Sequence, residues 1–455
     1  MNPIKTSLKP TKENITQEAK QKMTINLESL KGTYDRYPDE WATWKYLIEI
    51  VDETAEEFGF RSFNPPTIER QELWTEKEED SVTDEMYAFT DKGDNETTLV
   101  PEQTPTRARL IQKRKDLKTP VKWYDTSKRW RYEDVTKGRD REFLQGDFDI
   151  FGIESVEADA EIIAAAATIF KKLDLDDRVD FRINDRELLE SILESHGISE
   201  TEEAMKVVDD KEKMDREEFL DDLEDRGLTR GEAEQVDELT SISGPILNQI
   251  EELREKAPEE VQDSVDRMES LGEALDAYGI ADMCRFDLSI VRGLAYYTGL
   301  VFEAFDSEGE LRALFGGGRY DELVGTFGDR SVPAVGFAFG YSPTIELLKK
   351  EDCYPLKDVE TDVYVLSASE SVRDTALNYA TKLREKGLSV ETDLAERGFG
   401  SQLGYADDMN AKRVLIVGER DLENDEVTMK HMDSGEEESL DKDEVIEHLE
   451  EEDFF

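Results

Sequence analysis

The order of strand-like and helix-like segments constrains the fold of this chain more than any other feature. Short strand-like runs, TTLVPE, VKWYD, RWRYED and FLQGDFDIFG, lie between residues 95 and 155, and strands return in SIVRGLAYYTGLVFEAF, residues 289–305. The residues between these two groups, 186–282, have a helical and strongly acidic pattern. We therefore predict a main domain of residues 26–185 and 283–352 that is interrupted by a helical insertion domain at 186–282.

Local patterns predict helices and extended segments within the main domain. Between Trp41 and Phe58 the apolar residues recur at steps of three and four, which is typical of an amphipathic helix. The next segment, RSFNPPTIE, contains paired prolines, so it can only be an edge strand or an extended arm. A strong helix is predicted for EADAEIIAAAATIFKKL, residues 157–173.

The C-terminal part of the chain has a different pattern. After Pro355, the strands DVYVLS, LSVETD and KRVLIVG alternate with helices that are predicted from Ser371 and near Gln402. This alternation indicates a compact α/β domain at residues 361–455 with a mixed or parallel sheet. Residues 1–25 contain few apolar residues and are expected to form a flexible tail.

The chain contains 110 acidic and 57 basic residues, which gives a net charge of −53. Such a charge can indicate disorder, but the 20 Phe, 15 Tyr and 5 Trp residues occur in periodic runs that predict a packed core. We interpret the chain as a folded protein of a salt-rich cytoplasm, where a Debye length of about 3 Å at 1 M salt screens the repulsion between carboxylates. No apolar run approaches the roughly 20 residues that span a bilayer, and no signal peptide is recognised.

A structural metal site is not expected. The cysteines are Cys284 and Cys353, and the three histidines, His196, His431 and His448, are widely separated. This set cannot supply a plausible zinc site, so we expect a reduced chain without structural metal.

One segment departs from the acidic character of the chain. KRWRYEDVTKGRDR, residues 128–141, contains six basic and three acidic residues. The alternation in RWRYED predicts a strand with Arg129, Arg131 and Glu133 on one face. Because the guanidinium fork matches phosphate oxygens, this arrangement suits a clamp for a polyphosphate. An ion-paired strand on the protein surface is the alternative.

Polar residues also alternate in the following strand, FLQGDFDIFG. Gln145, Asp147 and Asp149 occupy every second position among apolar residues, so they are predicted to share one face. Buried carboxylates and amides require partners. A small cationic or amino-bearing ligand would satisfy them, and so would a structural network with the neighbouring arginines.

A second group of candidates lies in IVRGLAYYTG and in the glycine-rich turn after it. Arg292 interrupts an apolar run, so its charge requires an anion. Tyr296 and Tyr297 could wall a pocket, although single tyrosines more often belong to a core. The glycines at 316–318 could bring the backbone close to a nucleotide.

From about residue 30 onward, the sequence resembles that of histidyl-tRNA synthetases. Five segments occur in the order found in that family, namely KGTYDRYP (31–38), LVPEQTPTRAR (99–109), RWRYEDVTKGRDREFLQGDFDIFG (129–152), VRGLAYYTGLVFE (291–303) and GGGRYDELVGTF (316–327). The run RGL-x-YYTG-x-VFE is close to a signature of histidine specificity, whereas the arginine-rich segment at 129–152 alone would indicate only a class II synthetase.

The resemblance implies an α+β fold, in which an antiparallel class II catalytic sheet with a helical insertion is followed by a C-terminal α/β anticodon-binding domain. It also implies a homodimer, because Trp41–Phe58 and the strand through Pro66 resemble the motif that forms the dimer interface in this family. The implied reaction is the activation of L-histidine with ATP to histidyl-adenylate, followed by the transfer of histidine to tRNA(His).

The resemblance also implies an ATP site with Mg²⁺. Arg131 would hold the α-phosphate, Glu133 would lie near the adenine, and Arg139 would reach the β- and γ-phosphates with Mg²⁺. Gly317 and Gly318 are implied to contact ATP as well.

Further residues are implied to bind histidine. Glu102, Thr104 and Gln145 would take its α-amino group. Asp149 and Tyr297 would contact the imidazole, and Asp149 stands where the family more often has glutamate.

Two arginines are implied to be catalytic, Arg292 and Arg131. Arg292 would bridge the histidine carboxylate and the α-phosphate, and Tyr296 is the remaining implied contact of histidine. The chain departs from the family at Ala295, where aspartate is usual, and at Pro343, where an arginine generally packs on ATP. Either another base replaces that arginine or activation is impaired.

Two alternatives to an active synthetase remain at this point. The first is a non-catalytic, synthetase-like regulatory paralogue of histidine biosynthesis; such paralogues usually lack the anticodon-binding domain, whereas residues 361–455 look complete. The second is a nucleotide- or RNA-binding module without catalysis, for which Pro343 is the main argument.

Overall fold

The structure is a computed structural model that describes residues 26–75, 83–195, 197–198, 200–291, 296–355 and 361–451. The predictions for the tail at 1–25, for Arg292 and for Ala295 lie outside the described residues.

The described residues form both helices and strands. The helices are α1 (Pro38–Glu57), α2 (Glu72–Thr75), α3 (Thr104–Lys113), α4 (Val156–Lys172), α5 (Arg186–Ser195), α6 (Thr201–Asp209), α7 (Arg216–Asp225), α8 (Arg230–Thr240), α9 (Ile246–Lys256), α10 (Gln262–Ala277), α11 (Leu323–Thr326), α12 (Tyr341–Lys350), α13 (Arg373–Glu385), α14 (Phe399–Asp408), α15 (Glu419–Glu423) and α16 (Val445–Glu451). The strands are β1 (Arg61–Ser62), β2 (Ile68–Arg70), β3 (Ala88–Thr90), β4 (Glu96–Leu99), β5 (Val121–Trp130), β6 (Glu142–Phe151), β7 (Val179–Asp185), β8 (Ser243–Pro245), β9 (Cys284–Asp287), β10 (Leu300–Asp306), β11 (Phe315–Arg319), β12 (Ala334–Gly340), β13 (Thr361–Ser367), β14 (Val390–Thr392), β15 (Ala411–Val417), β16 (Glu426–His431) and β17 (Glu437–Asp441).

A nine-stranded sheet in the order β1-β5-β6-β12-β11-β10-β7-β9-β8 forms the centre of the protein. The pairs β1/β5 and β7/β9 are parallel, and the other neighbouring strands are antiparallel. Strand β1 lies at the edge, which confirms the edge-strand prediction from the paired prolines that follow it. Strands β2, β4 and β3 form a separate three-stranded sheet. The predicted α+β class is confirmed.

One hydrophobic core joins the large sheet to its helices. The alanine-rich helix α4 packs against α1, α10 and β12, and residues 164–167 are buried. Leu188 of α5 and Leu275 of α10 belong to the same core. Strand β8, which also lies within 186–282, forms the last strand of the large sheet. This segment is therefore built onto the main sheet and shares its core, while the predicted domain borders remain a prediction.

The C-terminal segment has a second sheet, in the order β14-β13-β15-β16-β17. Strand β13 pairs in parallel with β14 and β15, whereas β16 is antiparallel to β15 and β17. The sheet has its own core, in which Val363 and Leu415 pack against Leu383 of α13 and Leu449 of α16. The mixed sheet is the one that the alternating pattern predicted.

Strand β5 ends at Trp130, so the prediction of one strand through RWRYED is wrong beyond that residue. The backbone N–H of Tyr132 donates to the carbonyl of Glu85 at 2.6 Å, away from the partner strand β6. Because the backbone leaves the ladder here, Arg131 and Glu133 lie on a loop.

None of the helices in the described ranges is both long and apolar enough to cross a bilayer. Within the same ranges, no three or more His, Cys, Asp or Glu side chains are grouped so that they could hold a metal ion. Cys284 is buried, Cys353 is exposed, and both thiols are free.

Close packing explains the glycines in the middle of β11. This strand lies between β10 and β12. A Cβ on Gly317 would lie 2.6 Å from the Cβ of Phe337 and 2.7 Å from the ring of Phe302. A Cβ on Gly318 would lie 2.8 Å from the ring of Tyr297. Real Cβ atoms do not approach other atoms this closely, so the sheet cannot take larger residues here.

Gly317→Ala is expected to destabilise the protein by about 1–3 kcal/mol, because the added methyl group overpacks the centre of the sheet. Gly231→Ala in α8 is the matched control, since nothing lies within 4 Å of its added Cβ and alanine favours a helix. The free energy of unfolding would be measured by urea titration in molar KCl. Equal stability of the two variants would contradict the packing explanation.

Candidate active site

A cavity of about 590 Å³ opens on the large sheet and collects most of the predicted site residues. Its walls are formed by β6, β11 and β12, by the loop after β5, by the start of α12 and by residues 311–314. The predicted residues that line it are Glu102, Thr104, Arg131, Glu133, Arg139, Gln145, Asp149, Tyr296 and Tyr297. Gly316 also lines the cavity, whereas Gly317 and Gly318 do not. Arg292 lies outside the described residues.

Strand β6 supplies what we call the acidic floor of the cavity, formed by Gln145, Asp147 and Asp149. The alternation of a strand places these three side chains on one face. Asp147 and Asp149 are each 3% exposed. Asp149 is paired in register with Gly336 of β12, and a side chain at Gly336 would overlap the Asp149 carboxylate. Glycine on the neighbouring strand therefore makes room for the acid.

Two buried side chains hold the carboxylate of Asp149. Arg107 of α3 donates from Nη1 to Asp149 Oδ2 and from Nη2 to Asp125 Oδ1. The hydroxyl of Tyr320 donates to Asp149 Oδ1. Burial raises the pKa of Tyr320 well above its ordinary value, so this hydroxyl keeps its proton and acts as a donor.

Arg129 forms the other half of this buried network. It is fully buried and donates to Asp147 Oδ2 and, at 3.1 Å, to Asp125 Oδ2. Burial disfavours the charged form of both acids, yet Arg107 and Arg129 hold the pKa of Asp125 below its ordinary value. For Asp147 burial outweighs the same two arginines, and its pKa is raised. The structural network with local arginines is thus present, and the surface-strand alternative is wrong for Arg129.

Glu102 and Tyr296 meet on another part of the cavity wall. Both are buried, and the Tyr296 hydroxyl donates to Glu102 Oε2 at 3.3 Å. The rings of Tyr296 and Tyr297 lie 4.9 Å apart. Thr104 begins α3, so the same helix that brings Arg107 beneath the floor also brings Thr104 to the cavity.

The loop after β5 adds basic side chains, and we call residues 131–141 the basic loop. Arg139 Nε pairs with Glu133 Oε2 at 2.8 Å. Arg131 donates from Nε to the carbonyl of Pro101 at 3.0 Å and lies over the ring of Phe143. Burial raises the pKa of Glu133, although Arg139 and Arg131 favour its charged form. The cavity therefore presents carboxylates on its floor and guanidinium groups on its loop, which suits a ligand pair with a cationic and a polyanionic group.

Several site residues were not identified from the sequence. Arg107 lies in the quoted segment LVPEQTPTRAR, and its spacing of three from Thr104 on a helix was a usable signal. Tyr320 lies one residue after the glycine-rich run and Arg319. The sequence around Gly336 contains no signal for its role, because that role depends on the pairing of β12 with β6. Arg312 also lines the cavity and lies outside the five segments quoted for the family resemblance.

Arg107→Met is expected to destabilise the protein by about 3–5 kcal/mol, because Asp125 and Asp149 lose a buried partner. Arg109→Met is the matched control, since the Arg109–Glu69 pair that it removes is partly exposed, with side-chain exposures of 31% and 11%. Its loss is expected to be about 1 kcal/mol or less. Urea unfolding in molar KCl would compare the two, and a loss for Arg107→Met no larger than the control's would show that the network is not stabilising.

Known proteins resemble both parts of the chain. The chain matches the family model of histidyl-tRNA synthetase over residues 32–343 and that of the anticodon-binding domain over residues 362–452. It is 40% identical to the histidine–tRNA ligase of Haloarcula marismortui over 91% of this chain and 95% of that protein. The histidine–tRNA ligase of Natronomonas pharaonis is 42% identical over 90% of this chain and 94% of its own length.

A solved structure agrees with these matches. The histidyl-tRNA synthetase from Nostoc sp. PCC 7120 superposes with a TM-score of 0.81 at 26% identity and covers 93% of this chain and 99% of its own. Sequence models, curated relatives and fold therefore point to the same family, and the chain belongs to the histidyl-tRNA synthetases.

Proposed function

We propose that this protein is a histidine–tRNA ligase, which activates L-histidine with ATP to histidyl-adenylate and transfers histidine to tRNA(His). The observation that carries this proposal is one cavity that combines the acidic floor with the basic loop in a chain of the histidyl-tRNA synthetase family. The floor is complementary to the ammonium and imidazole groups of histidine, and the loop is complementary to a triphosphate.

In this proposal, histidine lies above the acidic floor. Glu102, Thr104 and Gln145 accept the hydrogen bonds of its α-ammonium group. Asp149 accepts a hydrogen bond from the imidazole, with Tyr297 beside the ring. The donors Arg107 and Tyr320 support this role, because they fix the orientation of the Asp149 carboxylate, and Asp149 lines the cavity. Tyr296 acts through its hydrogen bond to Glu102.

ATP lies against the basic loop. Arg131 holds the α-phosphate, Arg139 the β- and γ-phosphates, and Glu133 lies near the adenine. Gly316 lines the cavity and offers backbone to the nucleotide, which replaces the role implied for Gly317 and Gly318. A Mg²⁺ ion that arrives with ATP needs only one or two protein carboxylates, and Glu303 on the cavity wall would be a suitable oxygen ligand. Mg²⁺ would neutralise charge on the triphosphate.

The activation step needs alignment more than it needs a base. The carboxylate oxygen of histidine forms a bond to the α-phosphorus, the bond from that phosphorus to the oxygen bridging to the β-phosphate breaks, and pyrophosphate leaves. Arg131 holds the α-phosphate, and Arg292, by the family resemblance, bridges the histidine carboxylate and the α-phosphate, so the two arginines bring two anions together. They also neutralise the charge that develops between them.

Transfer to tRNA involves the rest of the chain. We assign residues 26–185 and 283–352 to catalysis, 186–282 to a helical insertion domain and 361–455 to anticodon binding, in line with the match over 362–452. The same match disfavours a regulatory paralogue, since those usually lack this domain. We further infer a cytoplasmic homodimer. Exposed apolar side chains just before α1, at Leu27, Leu30 and Tyr37, support an interface there.

The test is amino-acid-dependent exchange of pyrophosphate into ATP, in molar KCl with Mg²⁺ and each common amino acid in turn. Exchange is expected with histidine alone, because the floor pairs specifically with an imidazole and a site built for hydrogen bonding rejects analogues by about 10⁴-fold or more. Circular dichroism in the same salt would show that the protein is folded. Folded protein without exchange, or exchange with another amino acid, would contradict the proposed function.

A further inference from the structure

Pro343 leaves the ATP site without the arginine that the family resemblance leads one to expect there. Pro343 lines the cavity in the first turn of α12. A Cβ on Gly340 would lie 3.2 Å from its ring, and a Cβ on Gly138 of the basic loop would lie 3.4 Å from its Cα. Pro343 is thus packed between the end of β12 and the basic loop, where it supplies shape but no charge.

The chain segment that packs beside this turn carries a cation. The carbonyl of Leu314 lies so close to Gly340 that a side chain there would overlap it, and the Leu314 N–H donates to Ala304 at 2.7 Å. The segment before β11 is therefore fixed against both β10 and the end of β12. Two residues before Leu314, the side chain of Arg312 lines the same cavity as Pro343.

Arg312 differs from the other basic residues on the cavity wall in its lack of a partner. Arg139 pairs with Glu133, Lys137 with Glu346 at 3.5 Å, and Arg131 donates to a carbonyl. Arg312 is exposed and has no hydrogen bond or ion pair with any residue in the described ranges. In a chain with 110 acidic and 57 basic residues, a guanidinium group that faces a cavity unpaired is available for an incoming anion.

Arg312 interacts electrostatically with the carboxylate of Glu133, which belongs to the basic loop. Glu133 has a raised pKa because of burial, and Arg139, Arg131 and Arg312 each oppose that rise. Three guanidinium groups therefore act on one small region of the cavity. Two of them come from the basic loop, and the third comes from the segment packed against the turn that holds Pro343.

We propose that Arg312 replaces the missing arginine and binds the triphosphate of ATP from the segment 311–314, together with Arg139. The basic loop already contributes two guanidinium groups near Glu133, and Arg312 provides the third from the segment that precedes β11. This assignment rests on the proposed function, since it deepens the ATP site of the synthetase. It explains how a chain with proline at 343 retains a complete set of cations for activation.

The test compares Arg312→Ala, Arg312→Lys and the control Arg226→Ala in histidine-dependent exchange. Arg226 is also an exposed arginine, but it lies after α7 and does not line the cavity. Arg312→Ala is expected to lower kcat/KM for ATP by about 100-fold, as for other preorganised donors. The kcat/KM of Arg312→Lys should lie between the values of Arg312→Ala and the unsubstituted protein, because lysine keeps the positive charge but lacks the guanidinium fork. The KM for histidine and the activity of Arg226→Ala should stay unchanged.

A second-site variant tests whether the two positions are interchangeable. The double variant Arg312→Ala/Pro343→Arg should have a kcat/KM for ATP at least about tenfold higher than that of Arg312→Ala alone, since one charge-assisted hydrogen bond contributes roughly that factor. An Arg312→Ala variant that is folded and as active as Arg226→Ala would overturn the proposal and leave the proposed function intact.

Equilibrium dialysis of Mg·ATP separates the remaining outcomes. If the unsubstituted protein shows no exchange but binds ATP, and Arg312→Ala weakens that binding while Arg226→Ala does not, the Arg312 assignment stands and the enzymatic proposal falls. If ATP binding is absent, or is equal in both variants, the Arg312 assignment falls as well.

Discussion

The buried arrangement of Arg107 and Arg129 with three aspartates is the interaction on which the site depends. Arg107 comes from α3, Arg129 and Asp125 from β5, and the remaining two acids from β6, so the network joins three elements beneath the cavity. Isolated carboxylates in such a position would be strongly destabilising, whereas paired ones are tolerated. The network thus allows an acidic floor to exist inside the fold.

The floor gains orientation from the same contacts. Asp149 is held from one side by a guanidinium and from the other by the Tyr320 hydroxyl, and Gly336 leaves the space that its carboxylate occupies. A carboxylate fixed in this way loses little freedom when a ligand binds, which favours specific recognition. The basic loop is held by other contacts, since Arg139 pairs with Glu133 and Lys137 with Glu346 of α12. The acidic floor and the basic loop therefore differ in charge and in the contacts that hold them.

Much of this arrangement could be predicted from the sequence. The spacing of apolar residues predicted α1, and the alanine-rich segment predicted α4. The paired prolines predicted the edge position of β1, and the alternation of polar and apolar residues predicted the shared face of Gln145, Asp147 and Asp149. Most of the site residues that the family resemblance implied, from Glu102 to Tyr297, line the cavity. These features succeed because each depends on local spacing or on a motif.

The features that could not be predicted depend on contacts between distant segments. The end of β5 at Trp130 is set by where β6 stops pairing, and the need for Gly317 is set by strands on both sides. Arg107 reaches an acid that lies 42 residues further along the chain. The pattern of one segment cannot report such partners, and for the same reason Arg312 gave no sign of its place on the cavity wall.

The central claim is that Asp149 of the acidic floor recognises the imidazole of histidine. A crystal structure with L-histidine bound, from crystals grown in molar salt, would test it most directly. The account predicts that an imidazole nitrogen lies within hydrogen-bonding distance of the Asp149 carboxylate, while Arg107 and Tyr320 keep their contacts with the same group. A histidine bound elsewhere in the cavity, or an imidazole that avoids Asp149, would contradict the account, because the buried network would then hold a carboxylate that takes no part in recognition.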